Sequence, residues 1–266
     1  MVIADLGPGG AQRVLSTLAN AWAARGRKLS VATLSEPADD YFVLAPEINR
    51  IVIGGLAPSD GIIHAIGSNL GRIWRLRRTL RQSGAASVLA FLGATNILTI
   101  IAAAGLGIRV VISERNDPSR QTLGRGWNTL RRRLYRHAHV VTANSRGAVS
   151  AMEEFVPREK LAFIANAIID FGEASPGWRD RRILHIGRLA HQKGQDILLR
   201  AFALVVPQAP QWRLAILGEG EDAEMLQCLA RQLAVTDRID WLGRVNDPKP
   251  HYLDSAIFAL PSRFEG

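Results

Sequence analysis

Short apolar runs recur along this chain at intervals that leave room for helices between them. They fall at 1–4, 29–34, 50–53, 87–92, 109–114, 139–144 and 161–165, and again at 182–187, 212–218, 238–242 and 257–261. Most are continuous, as in VVISE, RILHIG and RLAILG, with no alternation of apolar and polar positions. A strand with one face in water alternates, whereas a strand covered on both faces does not need to. These runs therefore predict parallel strands buried between helices. The intervening segments carry the helical period. Residues 11–25 place Val14, Leu15, Leu18 and Trp22 on one face, and 194–206 do the same with Ile197, Leu198, Ala201, Phe202 and Val205. Strands and helices in alternation predict the α/β class, doubly wound with right-handed crossovers.

The best break in the pattern is DFGEASPGWRD at 170–180, rich in Gly, Pro and charge and without an apolar period. It divides the chain into a domain at 1–170 with seven strands, a linker at 171–180 and a domain at 181–266 with four. Apolar residues make up 47% of the chain, enough for a core in each part. The single cysteine, Cys228, excludes an intrachain disulfide and fits a reducing compartment. No secretory signal is legible, and the longest nearly apolar run, 97–108, is too short to span a bilayer. The expectation is a cytoplasmic protein, soluble or peripheral on the inner face of the membrane.

Net charge is +9 and unevenly spread: residues 1–175 hold 21 Lys and Arg against 13 Asp and Glu, and the rest hold 12 against 11. A basic half calls for an anionic partner. Two segments concentrate the charge. LGRIWRLRRTLRQ at 70–82 interleaves Arg72, Arg75, Arg77, Arg78 and Arg81 with Ile73, Trp74, Leu76 and Leu80, and WNTLRRRLYRH at 127–137 carries Arg131, Arg132, Arg133 and Arg136. Arginine with tryptophan on amphipathic helices suits an anionic membrane surface; an ordinary solvated helix face is the plainer alternative. No nucleic-acid-binding motif is present, and no nucleic-acid partner is expected.

Four segments fall where a parallel sheet binds ligands, at the carboxyl ends of strands. GRLAHQKGQD at 187–196 joins a strand to a helix and adds Arg188 and Lys193 to the free N–H groups of a helix start, a combination suited to phosphate. GPGG at 7–10 lets backbone approach a ligand through Gly9 and Gly10. LPSRFEG at 260–266 brings a carboxylate, Glu265, to a strand end. ISERNDP at 112–118 offers Glu114, Arg115 and Asn116 at the end of the fifth strand, with a helix-start signal as the competing explanation. Each of these segments also has a plain structural reading as a turn, cap or solvated loop. The six histidines show no metal spacing, no Asp-x-Asp pair is present, and no G-x-S-x-G elbow occurs, so neither a bound metal nor any other cofactor is expected.

Taken together, GPGGAQ, GRLAHQKGQD, LGEGED at 217–222, WLGRV at 241–245 and LPSRFEG occur in the order and spacing of a known family. Over nearly its whole length the chain resembles the retaining glycosyltransferases of family 4. The resemblance implies the GT-B fold, two Rossmann-like domains facing a cleft. It implies transfer of a sugar from a nucleoside diphosphate sugar, with UDP the expected carrier and retention of configuration, to a growing lipid-linked or polysaccharide glycan. The sugar would be a hexose or an N-acetylhexosamine, as in relatives with similar ISERNDP and RRRLYRHAHVVTANS stretches. It also assigns roles by position. Arg188 and Lys193 would neutralise the departing diphosphate, while Gly9, Gly10 and Gly187 would lie against donor groups. Glu219 and Val245 would line the nucleotide, and Glu265 would be the first acid of the E-x7-E motif, touching the donor sugar. Arg115 stands where many relatives carry histidine, and Ala165–Asn166–Ala167 replaces a P-N-G turn. The second acid of E-x7-E would fall beyond Gly266, so the second domain is expected to be incomplete and the chain itself inactive. Two alternatives stand beside transfer: a nucleotide-sugar epimerase of the same fold, and a non-catalytic nucleotide-sugar- or membrane-binding fragment.

Overall fold

A computed structural model describes residues 1–37, 40–54, 62–167, 180–245 and 247–264. The chain forms two compact units, Met1–Ala167 and Ile168–Glu265. The proposed linker, 171–180, lies outside the described residues apart from Asp180, which already opens a strand.

The first unit holds β1 (Val2–Ile3), α1 (Gly10–Ala23), β2 (Ser30–Thr33), β3 (Asn49–Val52), α2 (Ile62–Ser83), β4 (Ser87–Phe91), α3 (Gly93–Ala103), β5 (Arg109–Glu114), α4 (Arg125–Leu134), β6 (Val140–Ala143), α5 (Arg146–Met152) and β7 (Leu161–Phe163). Its seven strands are parallel, in the order β3-β2-β1-β4-β5-β6-β7. Both faces are covered. Ile3, Val31 and Phe91 pack on one side against Ala11, Leu15 and Ala19 of α1. Val2, Val88, Ala90, Val110, Ile112 and Val141 pack on the other against α2, α3 and α5. This two-sided burial is the physical reason for the continuous apolar runs.

The second unit holds β8 (Asp180–Ile186), α6 (Gln195–Val205), β9 (Arg213–Leu217), α7 (Ala223–Gln232), β10 (Ile239–Gly243), α8 (Lys249–Asp254) and β11 (Ser255–Phe258). Its four strands are parallel in the order β10-β9-β8-β11. Leu214 and Ile216 face α6 and α7, and Leu184, Ala215 and Leu217 face Tyr252 of α8. In each unit the strand order reverses at its first strand, between β1 and β4 and between β8 and β11. The crevice at that switch point is where such sheets take ligands.

Two expected helix faces are corrected. Helix α6 does not bury Ile197, Ala201 and Val205; it buries Gln195, Leu198, Leu199 and Phe202, and Ile197 and Val205 are exposed. Turning the helix this way keeps the i, i+3, i+4, i+7 spacing and brings Gln195 inside, where it has partners described below. In α4, Arg131 is not on the solvated face. It is buried, donating to the carbonyl of Pro118 and the side chain of Asn128 and standing 4.0 Å from Glu114. Trp127 likewise packs toward the core.

Candidate functional site

The switch point of the second unit is built from four loops bound to one another. Strand β8 ends at Gly187, whose N–H donates to the carbonyl of Leu217 at 3.0 Å. Leu189 N–H donates to the carbonyl of Glu219, Asp222 N–H returns a bond to Leu189, and Gly218 N–H reaches Gly243. The glycines are demanded by this closeness. A Cβ on Gly218 would lie 2.0 Å from the carbonyl oxygen of Gly187, and one on Gly220 would lie 2.3 Å from that of Leu189. Gly194 sits at φ +68° as the residue before α6, and a Cβ there would meet the carbonyl of Pro261 at 2.2 Å. Backbone oxygens cannot step aside as a side chain can, so any other residue at these positions pushes the loops apart.

Polar side chains fasten the same loops from below. His185 is fully buried in β8; its Nδ1 lies 2.9 Å from the carbonyl of Ala259 beyond β11, and its Nε2 lies 3.1 Å from Gln195 Nε2. The network fits a neutral ring that donates from Nδ1 and accepts at Nε2. Burial lowers the imidazole pKa below its ordinary value, which keeps the ring neutral. The other hydrogen of Gln195 goes to the carbonyl of Arg188 at 2.9 Å. From above, Arg263 forks Asp196 at 2.8 and 2.6 Å, donates its guanidinium to the carbonyl of His191 and donates its backbone N–H to the carbonyl of Gln192. Hydrogen bonds from Arg263 hold the Asp196 carboxyl below its usual value.

This frame fixes what the loop presents. Arg188 is exposed, with no side-chain partner among the described residues, and Lys193 is half-buried. The stem of Lys193 runs over Gly187, its Cγ and Cδ 3.5 Å from where a Cβ would stand. Two cations thus flank the strand end, beside the positively polarised start of α6. Glu219 is exposed and pairs with Arg244 at 3.3 Å, while Val245 packs on Leu184, Ala215 and Leu217. Glu265 lies outside the described residues.

In the first unit, Asp5 accepts from Gly7 N–H and from Gln12 Nε2, both at 2.9 Å, which folds the glycine loop over the end of β1. Gly9 precedes α1 with extended backbone and no side-chain cap, and a Cβ on Gly10 would meet nothing within 4 Å. At the end of β5 the three singled-out residues part ways. Glu114 faces inward: its carboxylate accepts from Tyr135 Oη at 2.7 Å and from the N–H of Arg115 at 3.2 Å. Burial raises its pKa, opposed by those hydrogen bonds and by Arg131. Arg115 lies across the strand ends, and Asn116 adds an N–H toward the Glu114 carboxylate.

Sequence reasoning did not single out His185, Gln195, Asp196 or Arg263 in the second unit, nor Tyr135 and Asn96 in the first. A histidine inside the apolar run RILHIG is the one local signal; the others are joined by contacts many residues apart. On the basic helices, α2 turns Leu70 and Trp74 outward at 61% and 62% exposure, with Arg78 stacked toward Trp74. Arg77 instead caps α3, donating to the carbonyls of Ala102 and Ala104.

Comparison with known proteins follows the same division. Residues 173–266 match the model described as glycosyl transferases group 1, and residues 8–170 match that of glycosyltransferase family 4. The chain is 28% identical to the GalNAc-α-(1→4)-GalNAc-α-(1→3)-diNAcBac-PP-undecaprenol α-1,4-N-acetyl-D-galactosaminyltransferase of Campylobacter jejuni, over all of this chain and 73% of that protein. It is 26% identical to the N-acetylgalactosamine-N,N'-diacetylbacillosaminyl-diphospho-undecaprenol 4-α-N-acetylgalactosaminyltransferase of the same organism, over 99% of this chain and 74% of that protein. Among solved structures, Anabaena HepE in complex with UDP and glucose aligns at a TM-score of 0.77 with 18% identity, covering 98% of this chain and 74% of that one. Sucrose-phosphate synthase from Thermosynechococcus elongatus aligns at 0.79 with 15% identity, covering 99% and 75%. At such identities the structural likeness establishes the GT-B fold. With more than half its length matched by the family model and a fold to correspond, the chain belongs to glycosyltransferase family 4.

Proposed function

We propose that this glycosyltransferase moves a hexose or N-acetylhexosamine from a UDP-sugar to a lipid-linked glycan, with retention of configuration. The observation that carries this reading is the strapped 187–196 loop, which holds an exposed Arg188 and a half-buried Lys193 at the strand end beside α6. Cleaving the bond between sugar and nucleotide leaves charge on the diphosphate. Preplaced cations and helix N–H groups stabilise that charge without reorganising, and losing one such donor typically costs about 3–4 kcal/mol in the barrier. The acceptor class is supported by the undecaprenol-linked substrates in the names of both Campylobacter relatives, and the donor by the UDP in the HepE structures. Glu265 would contact the donor sugar, and Gly9 and Gly10 would approach it from the first unit. No divalent ion is required in this scheme, so turnover should survive EDTA.

The protein works at the membrane surface in this reading. Leu70 and Trp74 would enter the interface, with Arg75, Arg78 and Arg81 of α2 and Arg132, Arg133 and Arg136 beside α4 toward anionic headgroups. Among the described residues no helix is long and apolar enough to cross a membrane.

Product analysis with a panel of UDP-sugars, with and without an undecaprenyl-diphosphate-linked glycan, tests the assignment. Extension of the glycan with release of UDP is expected. A new free nucleotide-sugar with the glycan unchanged would identify an epimerase instead, and binding without turnover would leave a binding module.

A further inference from the structure

Arg115 is placed as few arginines are. It is 9% exposed, at the carboxyl end of β5, yet it has no carboxylate partner among the described residues. A guanidinium carries five N–H donors. Here Nη2 donates to Asn166 Oδ1, Nη1 reaches Ser113 Oγ at 3.5 Å, and Nε has no partner. The neighbouring acid is engaged elsewhere: Glu114 accepts from Tyr135 and from the backbone N–H of Arg115 itself. Arg131, comparably buried and likewise with an unpartnered Nε, differs in having Glu114 as a counter-charge. A cation taken out of water with most of its donors unmet is disfavoured unless an anion completes it.

The segment around Arg115 is also held rigid. Asn96 Nδ2 donates to the carbonyl of Ser113 at 3.1 Å and to Tyr135 Oη at 3.2 Å, and Leu92 N–H donates to the same carbonyl. The guanidinium lies against the Phe91 ring, its carbon 5.9 Å from the centroid, and reaches Asn166 after β7. It therefore spans the ends of β4 through β7 at the edge of the sheet where ligands bind. Of the three residues that end β5, Glu114 is the strut and Arg115 is the group presented.

We infer that Arg115 is an anion-binding residue of the first unit that takes a phosphate group of a substrate. This rests on the transferase reading for the source of the phosphate, either the diphosphate linkage of a lipid-linked acceptor or the diphosphate of the donor. A planar fork with several open donors matches phosphate oxygens, which accept two parallel hydrogen bonds.

Calorimetry on the protein tests this without turnover, using UDP alone and farnesyl diphosphate in the presence of saturating UDP. Arg115→Met should weaken one of them at least tenfold, with Arg115→Lys falling between Arg115→Met and wild type because it supplies the charge without the fork. Loss confined to farnesyl diphosphate assigns the phosphate to the acceptor, and loss of UDP binding assigns it to the donor. The thermal midpoint of Arg115→Met should be unchanged or raised, because an unmet buried cation has been replaced by an apolar side chain. If both ligands bind Arg115→Met within twofold of wild type, the inference fails. It also fails if the midpoint falls while both affinities hold, since Arg115 is then structural. Sugar transfer by the wild type is scored separately, so the anion site stands or falls on the two affinities and not on turnover.

Discussion

Gln195→Leu tests whether the cationic 187–196 loop is held from beneath. The substitution is close in volume and keeps an apolar stem in α6, but it removes both hydrogen bonds of the side-chain amide. Two acceptors lose a donor: the part-buried carbonyl of Arg188, which water can reach, and Nε2 of the fully buried His185. An orphaned buried polar group costs about 1–3 kcal/mol, and the histidine sets the expected loss in that range. For a unit of this size each kcal/mol moves the thermal midpoint by about 4–8 °C, which puts the expected fall at about 4 °C or more. The effect on function is separate. Released from Gln195, the loop carrying Arg188 can shift, and a displacement of about 1 Å at a catalytic group can cost about a hundredfold in rate. Differential scanning calorimetry and steady-state turnover with a UDP-sugar, measured well below the midpoint, read the two effects independently. A variant that melts within about 2 °C of wild type, under about 1 kcal/mol, and turns over normally would refute the strap. Melting as wild type with slow turnover would preserve its role in positioning alone.

Other expectations follow from the same geometry. In the full-length protein Arg188→Ala and Lys193→Ala should each lower kcat by at least about a hundredfold with the fold intact, since in the proposed reaction each would remove a preplaced donor to the leaving diphosphate; near-normal turnover in both would remove the diphosphate assignment. Gly218→Ala and Gly10→Ala should behave oppositely. The first drives a methyl to within 2.0 Å of a backbone oxygen and should lower the midpoint sharply, whereas the second enters open space at a helix start and should leave it unchanged or slightly raised while slowing transfer. Burial raises the Glu114 pKa, so between its ordinary value and the raised one the folded state holds a proton that the unfolded state has released. Its effect on stability is therefore favourable below its ordinary value of 4.5 and lost as pH rises through the raised value. Urea unfolding across pH should show that decline in wild type and a flatter profile in Glu114→Gln. Alanine at both Leu70 and Trp74 should lower co-sedimentation with anionic vesicles, and equal binding of wild type to neutral vesicles would count against α2 as the contact.

The strands were legible because double-sided burial leaves no room for polar alternation, and every expected apolar run overlaps one, although β11 shares only Ile257 and Phe258 with the run at 257–261. Helix rotation was less legible. In α6 the buried set includes Gln195, a residue that an apolar count ignores, and its place depends on a histidine in β8. The same limit explains Arg131. By composition it belongs with Arg132 and Arg133, but one position of helical rotation, about 100°, takes it from the solvated face to the core, where Glu114 and Asn128 meet it. The glycine-rich and cationic loops could be located from sequence because the ends of parallel strands are special places wherever they occur. The ties that hold them, such as Arg263 to Asp196 across 67 residues, are long-range and leave no local trace.

Both units reverse strand order at their first strand and put a glycine-bearing loop at the reversal, but the glycines there meet different constraints. In the second unit Gly194, Gly218 and Gly220 are each within 2.0–2.3 Å, through a notional Cβ, of another loop's backbone oxygen. Folding alone accounts for them, and they would be needed if the unit bound nothing. Gly10 has no such neighbour, begins a helix in which alanine is the better residue, and still is glycine. A position that gives up helix propensity without relieving any contact within its own unit needs another reason for being bare. Close approach of a ligand to the first turn of α1 supplies one. The two glycine loops therefore carry different kinds of information. The crowded one reports how the cationic loop is built, and Gly10 in the other is where, in the proposed function, backbone would meet a substrate.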